Sequence, residues 1–375
     1  MNSKIWLSSP HIGGSEQRYI KEAFDSNWVA PIGLNIDHFE DSLQSYIGED
    51  KRCVALNSGS SAIHLALVLL GVSVGSEVLC QSFTFVASAN PILYLGATPI
   101  FIDSEKETWN ICPIELEKCI IERISKGKNL KAIIVTHSYG MPYKADQLNE
   151  VSEKYNIPII EDAASALGSS FKNQQCGTFG NFGVFSFNGN KIITTSSGGA
   201  LICNSDKEKE KAIFLATQAR DNAPHYQHSE VGYNYRMSNI CAGIGRGQME
   251  VLGKHIQFRR EMHQFYIKLF RKIGKVSVFK EPSPDFHSNF WLSAILLESF
   301  EKREALRLHL ERDNIESRPL WKPMHLQPIF NKYPFYGGYV AEQLFEKGLC
   351  LPSGSNLTII EKDGIKRSIT SFFKA

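Results

Sequence analysis

The chain has 375 residues, 43% of them hydrophobic and 21% charged, with 41 Lys and Arg against 39 Asp and Glu. Such a composition can bury a large core, with one large and one smaller domain as the natural division. The formal net charge of +2 gives no electrostatic reason to expect nucleic acid or an anionic membrane as the main partner.

The first residues, MNSKIWLSSP, lack the apolar run and small-residue cleavage site of a secretory signal. From about residue 15 to 250, short apolar runs alternate with helical patterns. Strands are predicted at Cys53–Leu56, Glu77–Cys80, Thr98–Ile102, Lys131–Thr136, Pro158–Glu161, Gly183–Phe187 and Ala200–Cys203. Helices are predicted at Ser60–Leu70, Phe85–Tyr94, Ile114–Ser125 and Ala145–Tyr155. The strands are apolar on consecutive residues, as strands covered on both faces are. Alternating β and α elements predict a mostly parallel, seven-stranded α/β sheet. The longest apolar stretch, Ala62 to Leu70, contains His64 and is far short of a membrane span. After Ser238 the pattern becomes one long helix, Asn239 to Phe270, then mixed α+β segments at Val276–Phe279, Asn289–Leu296, Glu301–Arg312 and Ile360–Phe373. The eight cysteines are scattered without a CxxC pair. They predict reduced, mostly buried thiols in a cytoplasmic protein, with no disulfide frame and no metal site.

Ligands of open α/β sheets bind beyond the carboxyl ends of the strands. Three segments stand at such positions. Asn57-Ser58-Gly59-Ser60-Ser61 is a small, hydroxyl-rich turn feeding a helix, where backbone N–H groups and the helix dipole favour an anion; its plain reading is an ordinary helix cap. Glu161-Asp162-Ala163-Ala164 ends an apolar strand with an acid. Asp162 there either caps a helix or keeps a cationic ring nitrogen protonated, as a pyridoxal phosphate ring requires. In Phe185-Ser186-Phe187-Asn188-Gly189-Asn190-Lys191, a lysine closes a strand and turn and is followed by two isoleucines. Desolvation lowers an ammonium pKa and suits it to Schiff-base chemistry. Together the three supply an anion cradle, an acid for a ring nitrogen and an amine nucleophile.

These segments, with Gly232-Tyr233-Asn234-Tyr235-Arg236-Met237-Ser238, resemble the DegT/DnrJ/EryC1/StrS sugar aminotransferases, a branch of the fold-type I pyridoxal-phosphate enzymes. The resemblance runs from Leu7 to Gly354. Within the family the chain is similar to the branch that makes the 4-amino sugar of the UDP-N,N′-diacetylbacillosamine pathway, through Ser26-Asn27-Trp28-Val29-Ala30-Pro31 and the segment from Arg318 to His325. The resemblance implies a large cofactor domain over residues 1–250, whose N-terminal segment helps to form the substrate site, and a small α+β domain over 251–375. It implies that Lys191 bonds the cofactor and Asp162 pairs with the ring nitrogen. Ser58, Gly59, Ser60 and Ser186 would hold the phosphate, and Phe85 would stack on the ring. Asn234 would reach the phosphate in the partner subunit of a homodimer with shared active sites. Asn27, Trp28, Val29, Ala30, Arg318, Trp321 and His325 would meet the nucleotide-sugar. Ser165 stands where many relatives carry Gln near the cofactor's phenolic oxygen, a shorter reach for the same hydrogen bond, and Ser197 stands where many carry a third glycine. The implied reaction moves an amino group from glutamate to a UDP-linked 4-keto-6-deoxy-N-acetylhexosamine.

Other readings fit less well. The related sugar dehydratases replace the lysine by histidine, and Lys191 is present. A regulator on the same fold would not need an intact cofactor set. Gly243-Ile244-Gly245-Arg246-Gly247 is spaced GxGxG inside a helical run, not GxGxxG after a strand, and predicts close helix packing instead of dinucleotide binding. His225 and His228 lack the glutamate of an HExxH metal site, and no GxSxG string marks a serine hydrolase.

Overall fold

The computed structural model describes residues 4–374. Two helices precede the sheet, α1 (Glu16–Asp25) and α2 (Leu34–Ile47). The core strands then alternate with helices: β1 (Arg52–Leu56), α3 (Gly59–Leu69), β2 (Ser76–Gln81), α4 (Asn90–Tyr94), β3 (Thr98–Ile102), α5 (Pro113–Ser125), β4 (Asn129–Thr136), α6 (Ala145–Tyr155) and β5 (Ile159–Asp162). A short hairpin, β6 (Ser170–Phe171) and β7 (Gln174–Gln175), leads to β8 (Phe182–Ser186), β9 (Gly199–Cys203) and α7 (Asp206–Ala216). The main sheet has the order β1-β9-β8-β5-β4-β2-β3, extended at the β3 edge by an eighth strand, β14 (Phe335–Tyr336). Only β9 runs against the others.

Both faces of this sheet are covered, as the consecutive apolar runs predict. In β1, Cys53 and Ala55 enter one core cluster, and Val54 and Leu56 enter the other. The period of two divides every strand in this way. The second part of the chain contributes α8 (Asn239–Met249), α9 (Leu252–Ile273), β10 (Ser277–Val278), β11 (Phe286–His287), β12 (Ser293–Leu296), α10 (Phe300–Arg312), β13 (Arg318–Pro319), β14, α11 (Val340–Lys347), β15 (Gly348–Leu351) and α12 (Ile359–Lys374). β10, β12, β15 and β13 form an antiparallel sheet in that order. It packs with α9, α10 and α12 around a third cluster that includes Tyr266, Phe270, Leu306 and Ile369.

The structure corrects three expectations. The sheet has eight strands, not seven. A strand of two residues has no readable period, and β14 is seated by Asp103, whose carboxylate accepts the N–H groups of Gly338, Val340 and Ala341. The stretch Asn239–Phe270 is two helices that part at Glu250 and Val251. α8 is drawn against α1 and α2 through its glycines: a Cβ on Gly245 would lie 2.7 Å from the Phe39 ring, and one on Gly247 would lie 2.7 Å from the Glu16 backbone. The predicted helix Phe85–Tyr94 is a 3-10 turn followed by the short α4, because Pro91 has no N–H to continue an earlier turn.

Candidate active site

A cavity of about 560 Å³ opens beyond the carboxyl ends of β1, β5 and β8. Its floor is the start of α3. Ser58 caps that helix, its Oγ accepting the Ser61 N–H at 3.0 Å. Gly59, Ser60 and Ser186 line the same wall. The Ser60 and Ser186 hydroxyls have no hydrogen-bond partner among the described residues. β9 passes so close that a Cβ on Gly199 would lie 2.4 Å from the Gly59 nitrogen. Glycine at 199 therefore lets the helix N-terminus sit against the sheet with its N–H groups turned to the cavity, an arrangement suited to a phosphate.

Asp162 ends β5 and is buried, at 5% exposure. Its Oδ2 accepts the Ser88 hydroxyl at 2.5 Å and its Oδ1 the Ala164 N–H at 3.1 Å. Behind Ser88 stand Thr84 and Thr136, linked Oγ to Oγ at 2.7 and 2.8 Å. These hydrogen bonds fix the direction in which the carboxylate faces the cavity.

Lys191 follows a turn in which its N–H is bonded to the Asn188 carbonyl at 2.9 Å. Its Nζ lies 3.4 Å from Ser165 Oγ and 4.3 Å from the centre of the Trp291 ring. Burial lowers its pKa to about 8, against the opposing pull of Asp162. A much larger share of this amine is neutral near neutral pH than for an exposed lysine.

The walls of the mouth are aromatic and charged. The Phe85 ring is 58% exposed and borders the cavity. Trp321 stacks on Tyr139 at 4.3 Å and 22°, and the Tyr139 hydroxyl accepts the Trp321 N–H at 2.8 Å. Tyr139 sits at φ +56°, a costly conformation for a bulky residue that the surrounding packing must hold. Arg318 projects at the rim, gripped by Glu316 Oε1 at 2.7 and 2.8 Å. The other oxygen of Glu316 accepts the Leu7 N–H at 2.9 Å.

Lys191, Asp162, Ser58, Gly59, Ser60, Phe85, Ser165, Ser186, Arg318 and Trp321 are thus brought to one cavity. Asn27, Trp28, Val29, Ala30, Asn234 and His325 are not among its lining residues. The Asn27–Ala30 segment is pinned to α8: the Asn239 side chain donates to the Trp28 carbonyl and its backbone N–H donates to the Ala30 carbonyl, each at 2.9 Å. Asn234 is exposed, its carbonyl accepting Asn57 Nδ2 at 3.2 Å. His325 has a ring that is already engaged, by Ser82 Oγ at 2.7 Å, by Glu342 at 3.2 Å and by the Phe335 ring at 3.7 Å. Sequence reasoning missed Thr84, Ser88, Thr136, Tyr139, Trp291 and Glu316. They are scattered along the chain, and no local spacing marks them.

All eight cysteines are free, six of them buried. One buried group, His137, Glu161 and Cys176, has the residue types of a metal site. The Glu161 carboxylate is taken up by His137 Nε2 and by the N–H groups of Gly177, Phe179 and Gly180, which makes it a structural tie between β5 and the loop before β8. The cavity residues fit a phosphorylated pyridine aldehyde: unpartnered hydroxyls and helix N–H groups at one end, a buried carboxylate for a ring nitrogen, an amine of lowered pKa, and an aromatic wall.

The model of the DegT/DnrJ/EryC1/StrS aminotransferase family matches residues 10–370. A putative pyridoxal phosphate-dependent aminotransferase, EpsN of Bacillus subtilis (strain 168), is 48% identical over 377 residues, covering 100% of this chain and 97% of its own. The GDP-perosamine synthase of Escherichia coli O157:H7 is 37% identical over 372 residues, covering 98% of each chain. The solved structure of a putative sugar aminotransferase, Spr1654 of Streptococcus pneumoniae in its PLP form, superposes with a TM-score of 0.90 at 25% identity over 99% of each chain. The chain belongs to the DegT/DnrJ/EryC1/StrS family and is a pyridoxal 5′-phosphate-dependent sugar aminotransferase.

Proposed function

We propose that this enzyme transfers an amino group from glutamate to a UDP-linked 4-keto-6-deoxy-N-acetylglucosamine, giving the 4-amino sugar. The observation that carries the aminotransferase chemistry is the meeting of Lys191, Asp162 and the Ser58–Ser60 cradle in one cavity. The choice of sugar rests on the resemblance of Ser26–Pro31 and Arg318–His325 to the branch that makes 4-amino sugars.

When bound, pyridoxal phosphate supplies an aldehyde that captures amines and a protonated ring that accepts an electron pair from a breaking C–H bond. Ser58, Gly59, Ser60 and Ser186 hold the phosphate through hydroxyl and N–H groups. Asp162, aimed by Ser88 and the Ala164 N–H, would pair with the ring nitrogen and hold its proton. Phe85 covers one ring face. The Lys191 amine, at about 8, takes the proton from the donor α-carbon and returns one to the carbon that receives the amino group. One amine serves both halves because general acid–base transfer needs only hydrogen-bond reach. Arg318 at the rim offers a fork for a carboxylate or a diphosphate. In a homodimer Asn234 would reach the phosphate in the neighbouring subunit, and residues 27–30 would meet the nucleotide-sugar. The two domains correspond to residues 1–250 and 251–375.

A second carrier is favoured by the 37% identity to a GDP-perosamine synthase: the same chemistry on a GDP-linked 4-keto-sugar. The test is a visible spectrum of the purified enzyme before and after glutamate, followed by a panel of UDP- and GDP-linked 4-keto-sugars. Bleaching of the cofactor band by glutamate and its recovery with the UDP-sugar alone supports the proposal. Recovery with the GDP-sugar alone transfers it to the second carrier, and a glutamate-insensitive band refutes the donor.

A further inference from the structure

Lys191 must leave the cofactor and return to it in each half-reaction. A free lysine side chain has four rotatable bonds and a rotamer entropy that disperses it. Two features near Lys191 are not used by the chemistry above. Trp291 presents its ring to the Lys191 Nζ at 4.3 Å and is held in its aim at two points. Its indole N–H donates to the Asn190 carbonyl at 2.7 Å, and its backbone N–H donates to Asn289 Oδ1 at 2.8 Å. Asn289 in turn donates to the carbonyls of Ser165 and Leu167, both at 2.9 Å. Phe290, between them, is held at φ +46° with its ring stacked on His263 at 3.6 Å, which fixes the backbone on the near side of Trp291.

The second feature is Arg259 of α9, which is 1% exposed and pairs with no carboxylate among the described residues. A buried cation without an acid is expensive, and an apolar side chain fills such space at less cost. Its reason lies in what its fork holds. Nη1 donates to the carbonyls of Trp291 at 2.6 Å and Ser353 at 3.3 Å. Nη2 donates to Ser8 Oγ at 3.0 Å and to the Lys191 carbonyl at 3.2 Å. One guanidinium therefore ties Lys191 to the residue whose ring receives its ammonium.

We propose that the face of Trp291 is the station occupied by the Lys191 ammonium when it is not bonded to the cofactor, and that Arg259 is the positioning residue that sets the two against each other. The inference rests on the reading of Lys191 as the reacting amine. An aromatic face suits the task because it attracts an ammonium without offering a base. A carboxylate in its place would hold the proton that Lys191 has to pass on. The charged groups around Lys191 are Asp162 from β5, Arg259 from α9, and the Glu316–Arg318 pair at the rim.

The experiment is pulse acetylation of the enzyme loaded with pyridoxamine phosphate, in which Lys191 is free. Modification of Lys191 is read by peptide mass spectrometry across pH, with the other lysines as reference. Trp291→Leu removes the contact. Its acetylation midpoint should move to lower pH, with labelling one pH unit below the wild-type midpoint rising by about two- to eightfold, the range of a cation–π contact. Trp291→Phe should give a smaller shift in the same direction. Arg259→Lys keeps the charge, loses the fork and should shift the midpoint likewise; Arg259→Lys labelling like wild type overturns the positioning role. An unmoved midpoint in Trp291→Leu overturns the station, including when labelling rises equally at every pH, which reports access alone. The underlying reading fails separately: it is lost if Lys191 of wild-type enzyme loaded with pyridoxal phosphate labels as fast as in the pyridoxamine form.

Discussion

At the scale of single residues, Lys191 and Asp162 are held in opposite ways. Asp162 is buried and hydrogen-bonded on both oxygens, so its aim is set in advance. Lys191 reaches one hydroxyl at 3.4 Å and one ring face, the weaker restraint that a moving amine requires. On the proposed chemistry, Lys191→Ala should abolish turnover while still binding pyridoxamine phosphate, measured by half-reaction kinetics and by the retained cofactor; normal transamination by this variant would remove Lys191 from its role. Asp162→Asn should cost about a hundredfold or more in rate, the scale on which single preorganised electrostatic contacts contribute to catalysis. Wild-type rate there would refute the ring-nitrogen pairing. The Lys191 amine at about 8 must be neutral to take a proton, so the glutamate half-reaction should speed up from pH 7 and level off above about 8. A flat stopped-flow profile would show that another group sets the rate.

At the scale of elements, the cradle depends on β9 and α3 approaching without a side chain between them. Gly199→Ala would place a methyl 2.4 Å from the Gly59 nitrogen. Backbone cannot yield as a flexible side chain can, so the cost should be about 1–3 kcal/mol in urea denaturation, together with weaker binding of pyridoxal phosphate in a titration. An unchanged affinity would mean that α3 does not carry the phosphate. Ser58→Ala removes the cap together with one of the hydroxyls proposed to hold the phosphate, and should cost about 1 kcal/mol of stability in urea denaturation and weaken pyridoxal phosphate binding. The element pattern was largely legible: each predicted core strand is present to within about two residues, because the consecutive β-branched and apolar residues of a doubly covered strand leave few alternatives. Helices α1, α2 and α11 were not legible in the same way. Glu16, Asn35 and Glu40 are buried in the first two, where a polar residue answers tertiary hydrogen bonds that no local pattern announces.

At the scale of the whole molecule, α9 carries two imidazoles into the interior, His255 beside the Ile192 carbonyl and His263 beside Ser293 Oγ. His255 and His263 are both buried, and burial lowers their pKa values to about 4 and about 3. Their folded pKa values lie below the unfolded value of 6.5, so their contribution is fully present above that value and is lost as the pH falls. At pH 5.5 the two together should remove roughly 2–3 kcal/mol relative to pH 8. Urea midpoints measured across pH 5–8 test this, and His263→Gln should flatten the slope; an identical slope in the variant would show that other groups govern the acid limb.

The amino-acid order alone was enough to specify the core strands, their succession along the chain, and the three segments bearing Ser58, Asp162 and Lys191. Those are local facts, written in short-range periodicity and in the residue types placed just after each strand. It took the folded chain to establish that Thr84, Ser88 and Thr136 back Asp162, that Trp291 faces Lys191, that Arg259 ties them together, and that His325 is engaged away from the cavity. Such contacts join residues up to a hundred or more positions apart, and the residue types involved are common throughout the chain. Their meaning comes from burial, because a hydroxyl, a tryptophan or an arginine withdrawn from water must find its partner within the protein.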